Sequence, residues 1–263
     1  MRGTVCLKCL VVVVLLATAT LSCNDDKGDD TPPHPVETAD DGDFVSEGKV
    51  WNCRHKIHTF KDGESVTNYY PYSYQVQGDT VIDNVRVRKV YVTDEHVHGD
   101  KNPRYFGAVH EAIIEGKVYI YRAGETSPAL LYDWKAAPGT ILDYHEQAID
   151  LYGRGPQTMA VRFKVWPRNE EDVALGRRMM VLQNLQEVDG KTYDCAIIEW
   201  VYGIGCENDP FCPESWMNIQ IAEAQKPSTP YFRYSDELVS CSEGGKVIFT
   251  HHDFPELNLT TDE

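Results

Sequence analysis

Several signatures are missing from this 263-residue chain, and each absence closes off a class of function. It holds no Gly-x-Ser-x-Gly, so the elbow that exposes a serine nucleophile has no sequence to build it. It holds no His-Glu-x-x-His, which removes the helical zinc-protease pair. Cations are scarce: 25 Lys and Arg face 41 Asp and Glu, for a formal net charge of −16. Binding a phosphate backbone needs a basic footprint, so nucleic acid is excluded as a partner. Long apolar runs are lacking too, since the most generous count gives about 12 residues against the roughly 20 that a helix needs to cross a bilayer.

What is present begins with an address. Arg2 and Lys8 precede the apolar residues 10–16 (Leu-Val-Val-Val-Val-Leu-Leu), the layout of a secretory signal. Two processing sites fit it. Ala17-Thr18-Ala19 would release a soluble chain, whereas Cys23, preceded by Leu21-Ser22 and followed by Asn24-Asp25-Asp26, resembles the lipobox of bacterial lipoproteins. That resemblance implies a signal peptide over residues 1–22, a diacylated Cys23 as the new N-terminus and a membrane partner reached through the lipid. Residues 23–43 then read as a tether: Asp25, Asp26, Asp29, Asp30, Glu37, Asp40, Asp41 and Asp43 stand against Lys27 alone, with three prolines between them. No apolar pattern there offsets chain entropy, so a disordered, self-repelling segment is expected. The acidic run resembles the surface-export signal of Bacteroidetes lipoproteins, which implies an outer-membrane protein facing outward.

Residues 44–263 are long enough to bury a core, and 15 Tyr, 8 Phe and 5 Trp favour strands over helices. Turn pairs punctuate alternating segments at Asp62-Gly63, Gly78-Asp79, Asp83-Asn84, Glu115-Gly116, Pro138-Gly139, Asp189-Gly190 and Gly244-Gly245. The expected fold is mostly β, with antiparallel meanders and hairpins forming a sandwich-like or open-barrel domain, and with possible similar halves at 44–150 and 151–263. One short helix is expected over residues 169–176, from Asn169 as N-cap to Gly176 as stop. Residues 216–224 are ambiguous between strand and helix. The order of Gly78-Asp79-Thr80-Val81-Ile82-Asp83, Glu115-Gly116-Lys117-Val118-Tyr119, Leu130-Leu131-Tyr132-Asp133-Trp134, Gly203-Ile204-Gly205 and Gly245-Lys246-Val247-Ile248 resembles a broad group of uncharacterised secreted and lipid-anchored Bacteroidetes proteins. The likeness spans most of residues 49 to 254, and it implies a fold and an address but no activity.

Candidate chemistry is thin. After the leader and Cys23, the cysteines left are Cys53, Cys195, Cys206, Cys212 and Cys241. An exported chain meets an oxidising compartment, so Cys206, Cys212 and Cys241 are disulfide candidates, with the Cys206–Cys212 loop first and a bond from either to Cys241 open. No Cys-x-x-Cys occurs among these five, which disfavours structural zinc. If residues 94–100 are extended, His96 and His98 share a face and could hold a metal with a third ligand. His251-His252 and His55-x-x-His58 are weaker pairs, because adjacent histidines on a strand point apart. Thr80, in Asp79-Thr80-Val81, resembles the O-glycosylation site of exported Bacteroidetes proteins. Glu199 is the carboxylate to watch for glycoside chemistry. Of Tyr69, Tyr70, Tyr72 and Tyr74, one set should face the core and the other be partly covered. The reading that follows is a non-enzymatic surface lipoprotein with an interaction or ligand-binding domain and no cofactor, contacting a glycan or an envelope or host protein. A carbohydrate-binding protein and a secreted hydrolase of glycan or peptide are the alternatives.

Overall fold

The structure, a computed structural model, describes residues 44–61, 64–148, 157–167, 173–174, 177–188, 191–213 and 232–252. Cys23, the leader, the tether, Asp62-Gly63, Asp189-Gly190 and residues 216–224 lie outside the described residues.

Alternation of side chains along the chain produces strands nearly everywhere. The first sheet is built from β1 (Val50–Lys61), β2 (Glu64–Ile82), β3 (Val85–Asp94), β4 (Arg104–Ala112), β5 (Lys117–Arg122) and β6 (Ala129–Asp133). A one-turn helix, α1 (Glu95–His98), follows β3. The second sheet takes β7 (Ile141–Ala148), β8 (Gln157–Val165), β9 (Val173–Ala174), β10 (Arg177–Val188), β11 (Lys191–Val201) and β12 (Gly205–Cys206). The chain then returns to the first sheet with β13 (Phe232–Glu243) and β14 (Lys246–Thr250). The strand orders are β14-β13-β1-β2-β3-β4-β5-β6 and β12-β11-β10-β8-β7, with β9 paired on β10. Every pairing is antiparallel. The two curled sheets form half-barrels, the sandwich-like or open-barrel class that the sequence predicts.

Turn chemistry explains the hairpins. Asp83 and Asn84 have φ of 49° and 63°, and Gly244 and Gly245 have 56° and 80°. Positive φ at both central residues marks the turn whose twist matches that of its flanking strands. Gly78-Asp79 differs from its expectation: β2 runs through it, and the register against β3 shifts between Val76 and Asp79. Gly78, at φ 69°, makes a bulge in a long strand. The expected helix at 169–176 also differs, because Val173–Ala174 pairs with Arg177 and Arg178 as β9. Nor do the sheets follow the proposed halves, since β1 lies between β2 and β13.

The inward faces meet in one core. Trp51, Tyr74, Val90, Ile120 and Tyr132 from the first sheet join Leu142, Tyr144, Phe163, Leu182, Ile198 and Trp200 from the second, all buried. Tyr132 meets the Trp200 ring edge-on, with centroids 4.8 Å apart. Aromatic side chains bury on the order of 150–250 Å² each, so rings of this kind supply much of the apolar area.

Between the sheets runs the segment from Gly203 to Cys212. Its backbone carbonyls are captured by the first sheet and its approach: Lys49 Nζ donates to Gly203 O at 2.7 Å, Trp51 Nε1 to Ile204 O at 2.8 Å, and Tyr132 Oη to Pro210 O at 2.7 Å. Gly205 sits at φ 104°, and a Cβ there would lie 2.8 Å from Tyr132 Oη. Only glycine fits, and this close approach delivers Asp209 and Phe211 into the interior.

Candidate functional site

Parity on β1 decides which groups enter the core. Trp51, Cys53 and His55 are alternate residues, so all three point inward. In register, His55 stands opposite Asp236 of β13 on one side and Tyr70 of β2 on the other. Its Nδ1 lies 2.6 Å from Asp236 Oδ1, and its Nε2 lies 2.8 Å from Asp94 Oδ2. All three side chains are only 6–7% exposed. A neutral ring has one donor nitrogen; facing a carboxylate with both calls for the imidazolium. Burial lowers the pKa of His55, but the hydrogen bonds and charges of Asp236 and then Asp94 outweigh it, and the net displacement is upward. The other Asp94 oxygen, Oδ1, accepts from Val97 N at 3.0 Å and caps α1.

The His55 ring lies flat on Tyr72, which leads to a second buried carboxylate. Asp209 Oδ2 accepts from Tyr72 Oη at 2.9 Å and Tyr74 Oη at 3.0 Å. Its Oδ1 accepts from Phe211 N at 2.8 Å and Cys212 N at 2.9 Å. Burial, followed by the charge of Asp236, pushes Asp209 up to about 6, against the pull of those donors. Burial and the Asp209 charge likewise raise Tyr72 and Tyr74 well above the ordinary phenol range. The Cys53 thiol, fully enclosed, is raised well above the thiol range by burial and then by Asp209 and Asp236.

This constellation holds a cysteine, a histidine and three carboxylates, yet its chemistry is that of a closed network. A thiolate nucleophile needs a depressed pKa and access to solvent, and Cys53 has neither. Both His55 nitrogens and both Asp209 oxygens are engaged by the protein itself. Four strands (β1, β2, β3 and β13) and the 203–213 segment are thereby locked to one another through polar groups that unfolding would have to separate.

The sequence-predicted residues are distributed as follows. Glu95–His98 is helical rather than extended, so His96 and His98 do not share a face as expected; His96 instead stacks on Tyr70 at 3.9 Å. Among the described residues no disulfide joins Cys53, Cys206, Cys212 and Cys241, which corrects the expected pairing of Cys206, Cys212 and Cys241. The 206–212 loop does fold back on itself, but the Asp209 carboxylate closes it and draws Phe211 into the core. Cys206 is buried in β12, Cys241 is buried opposite Trp51, and Cys212 Sγ accepts from Arg122 Nη1 at 3.3 Å. Thr80 lies half-buried inside β2 opposite Val87, and the adjacent Asp79 pairs with Arg86 and Arg88. Glu199 is half-buried on β11 opposite Val181. Tyr72 and Tyr74 face the core as expected, while Tyr69 is exposed. His58, on the opposite face from His55, meets Thr67 Oγ1 and Ser65 Oγ, each at 2.9 Å.

The sequence assigns no role to Asp94, Asp209 or Asp236, although the first two fall in the 94–100 segment and the Cys206–Cys212 loop that it marks. Strand parity at Trp51-x-Cys53-x-His55 was the one available signal, since it places His55 inside and a buried imidazole needs partners. No protein-family model matches the chain, and no curated protein or solved structure matches it.

Proposed function

We propose that this chain is an outer-membrane, surface-facing lipoprotein anchored through Cys23, whose β-rich domain binds a ligand or partner rather than turning over a substrate. The observation that carries the reading is the outward face of the first sheet. Register places Tyr69 beside Lys56, Pro71 beside Arg54, Gln75 beside Tyr91, and Tyr91 beside Tyr105. Tyr69 is 47% and Tyr105 43% exposed. The Arg54 guanidinium lies 4.1 Å from the Tyr69 ring, and Tyr91 and Tyr105 pack edge to face at 5.8 Å. Rigid tyrosines beside arginine and amide groups are the composition of binding surfaces.

Exposed phenol rings flanked by Gln75, Asn52 and Arg54 favour a carbohydrate as the ligand, stacked on the Tyr69 and Tyr105 rings and hydrogen-bonded at its hydroxyls. Full-length Cys23→Ala protein on a glycan array should give hits that Tyr69→Ala and Tyr105→Ala lose. An array without hits removes the carbohydrate reading. Proteinase shaving of intact cells should remove the domain, and protection would remove the surface placement. Turnover of a glycan or peptide, abolished by one carboxylate substitution, would replace the whole reading with that of a secreted hydrolase.

A further inference from the structure

At the seam where the last strand of the first sheet meets the end of β12, three metal-type donors converge. Glu207, His251 and His252 each offer one ligand atom, and these atoms lie within 4.8 Å of one another. His251 Nε2 is 3.5 Å from Glu207 Oε2, and the two imidazole centroids are 4.3 Å apart. Consecutive histidines in a strand would point to opposite faces, but β14 ends at Thr250. His251 and His252 fall in the turn just beyond it, which brings both rings to one side. Tetrahedral zinc, with bonds of 2.0–2.1 Å to nitrogen and oxygen, sets its ligand atoms roughly 3.3 Å apart, so a small side-chain rotation closes the set.

We propose that Glu207, His251 and His252 form a binding site for a divalent transition metal of the zinc type, with water in the fourth position. The backbone already positions two of the three ligands. Glu207 N donates to Glu199 O of β11 at 3.2 Å, Glu207 O accepts from Leu238 N of β13 at 2.7 Å, and His251 N donates to Val239 O at 3.0 Å. Glu207 and His251 are mostly shielded, with side chains 13% and 14% exposed, while the exposed His252 supplies both the closing ligand and the entry path. Two imidazoles with one carboxylate suit zinc, with copper as the tighter competitor by the usual affinity order. Cys206, next in sequence to Glu207, is buried in the core and does not take part. The bound ion would join the end of the first sheet to the segment that leaves the second, and would act as a clasp across the seam.

The test uses the full chain without a histidine tag, stripped with chelator and titrated with zinc by calorimetry and with cobalt by absorption. The expected result is one equivalent bound, a melting temperature several degrees higher at saturating zinc, and cobalt bands of a nitrogen and oxygen ligand set without a thiolate charge-transfer band. His252→Ala and Glu207→Gln should each weaken zinc at least tenfold, whereas His96→Ala and His98→Ala should bind as wild type. Because His252 is exposed, its variant should melt like wild type in the absence of metal, which separates loss of the ligand from loss of the fold. Absence of a stoichiometric equivalent at micromolar zinc would reduce the cluster to an ion pair and overturn the proposal. Binding that survives both substitutions, or a thiolate band, would overturn it as well.

Discussion

The imidazole of His55 lies 4.2 Å from the phenol of Tyr72, with ring planes 13° from parallel, and so links two buried carboxylate systems. On one side of the stack stand Asp94 and Asp236, and on the other Tyr72 donates a hydrogen bond to Asp209. The electrostatics of the interior therefore depend on two protons, one on His55 and one on Asp209.

The sign of the pH dependence follows from these protons. His55 is raised above 6.5 and Asp209 from 3.8 up to about 6, so the folded chain holds protons that the unfolded chain gives up. The Asp209 contribution to stability is complete below its unfolded pKa and is lost as pH rises through about 6. That of His55 is complete below 6.5 and is lost as pH rises through its higher folded value. Asp79, held low first by Arg86, and Asp100, held low first by the Asn102 N–H, act only in the acid range, where their contributions fade as pH falls through their depressed values. Urea melts between about pH 5 and about pH 8.5 should show a midpoint that falls as pH rises. A flat or rising midpoint would contradict the network's proton count.

Two substitutions at Asp209 should separate charge from hydrogen bonding. Asp209→Ala strands two tyrosine hydroxyls and two backbone N–H groups in the core and should cost about 3–5 kcal/mol. Asp209→Asn keeps an acceptor for the backbone and lets the phenols reorient, so it should cost much less. It should also flatten the pH dependence near 6. Equal costs in urea melts would show that the ionised carboxylate matters and its shape alone does not.

Gly205 and Gly139 compare strain alone with strain plus collision. Both have positive φ, but a Cβ at Gly139 meets nothing within 4 Å, whereas one at Gly205 meets Tyr132, Phe44 and Pro210 at 2.8, 3.0 and 3.1 Å. Gly139→Ala should cost about 1 kcal/mol and Gly205→Ala about 2–4 kcal/mol. Thermal melts of the pair check the ranking.

Among Cys53, Cys206, Cys212 and Cys241, alkylation of the native protein should begin at Cys212, because the other three are buried. Mass spectrometry of iodoacetamide-treated protein reads this directly. Protection of Cys212 that disappears on adding reductant would restore the Cys206–Cys212 disulfide that the structure replaces with Asp209.

The hairpins were legible in the sequence because their determinants are local. Asp83-Asn84 and Gly244-Gly245 tolerate positive φ, and the alternation beside them sets two faces. Gly78-Asp79 carries the same local signal, and only pairing with β3 across the Val76–Asp79 shift turns it into a bulge. The condition that residues 94–100 be extended fails because Asp94 ends β3 by capping a helical turn. The buried network was illegible for a different reason: His55 meets Asp94 across 39 residues and Asp236 across 181. No window of sequence contains those partners, and their charges read individually as ordinary surface acids. The Cys206–Cys212 loop does turn back on itself, but Asp209 in its middle closes it rather than a bond between its ends.

The place of β1 between β2 and β13 bears on how the molecule comes into being. The strand that opens the domain cannot complete its pairing until the strand near the other end of the chain arrives, and the Asp236 that charges His55 arrives with it. Closing a loop of that length early is entropically unfavourable, and folds dominated by such distant pairings are slow. The β2–β6 meander can zip from turn to turn while β1 keeps one edge open and His55 lacks its second carboxylate. The docking of β13 should be the slow, late event that turns a row of hairpins into a closed domain, and refolding should show the burial of Trp51 and the protection of the β1 amides appearing together at the end.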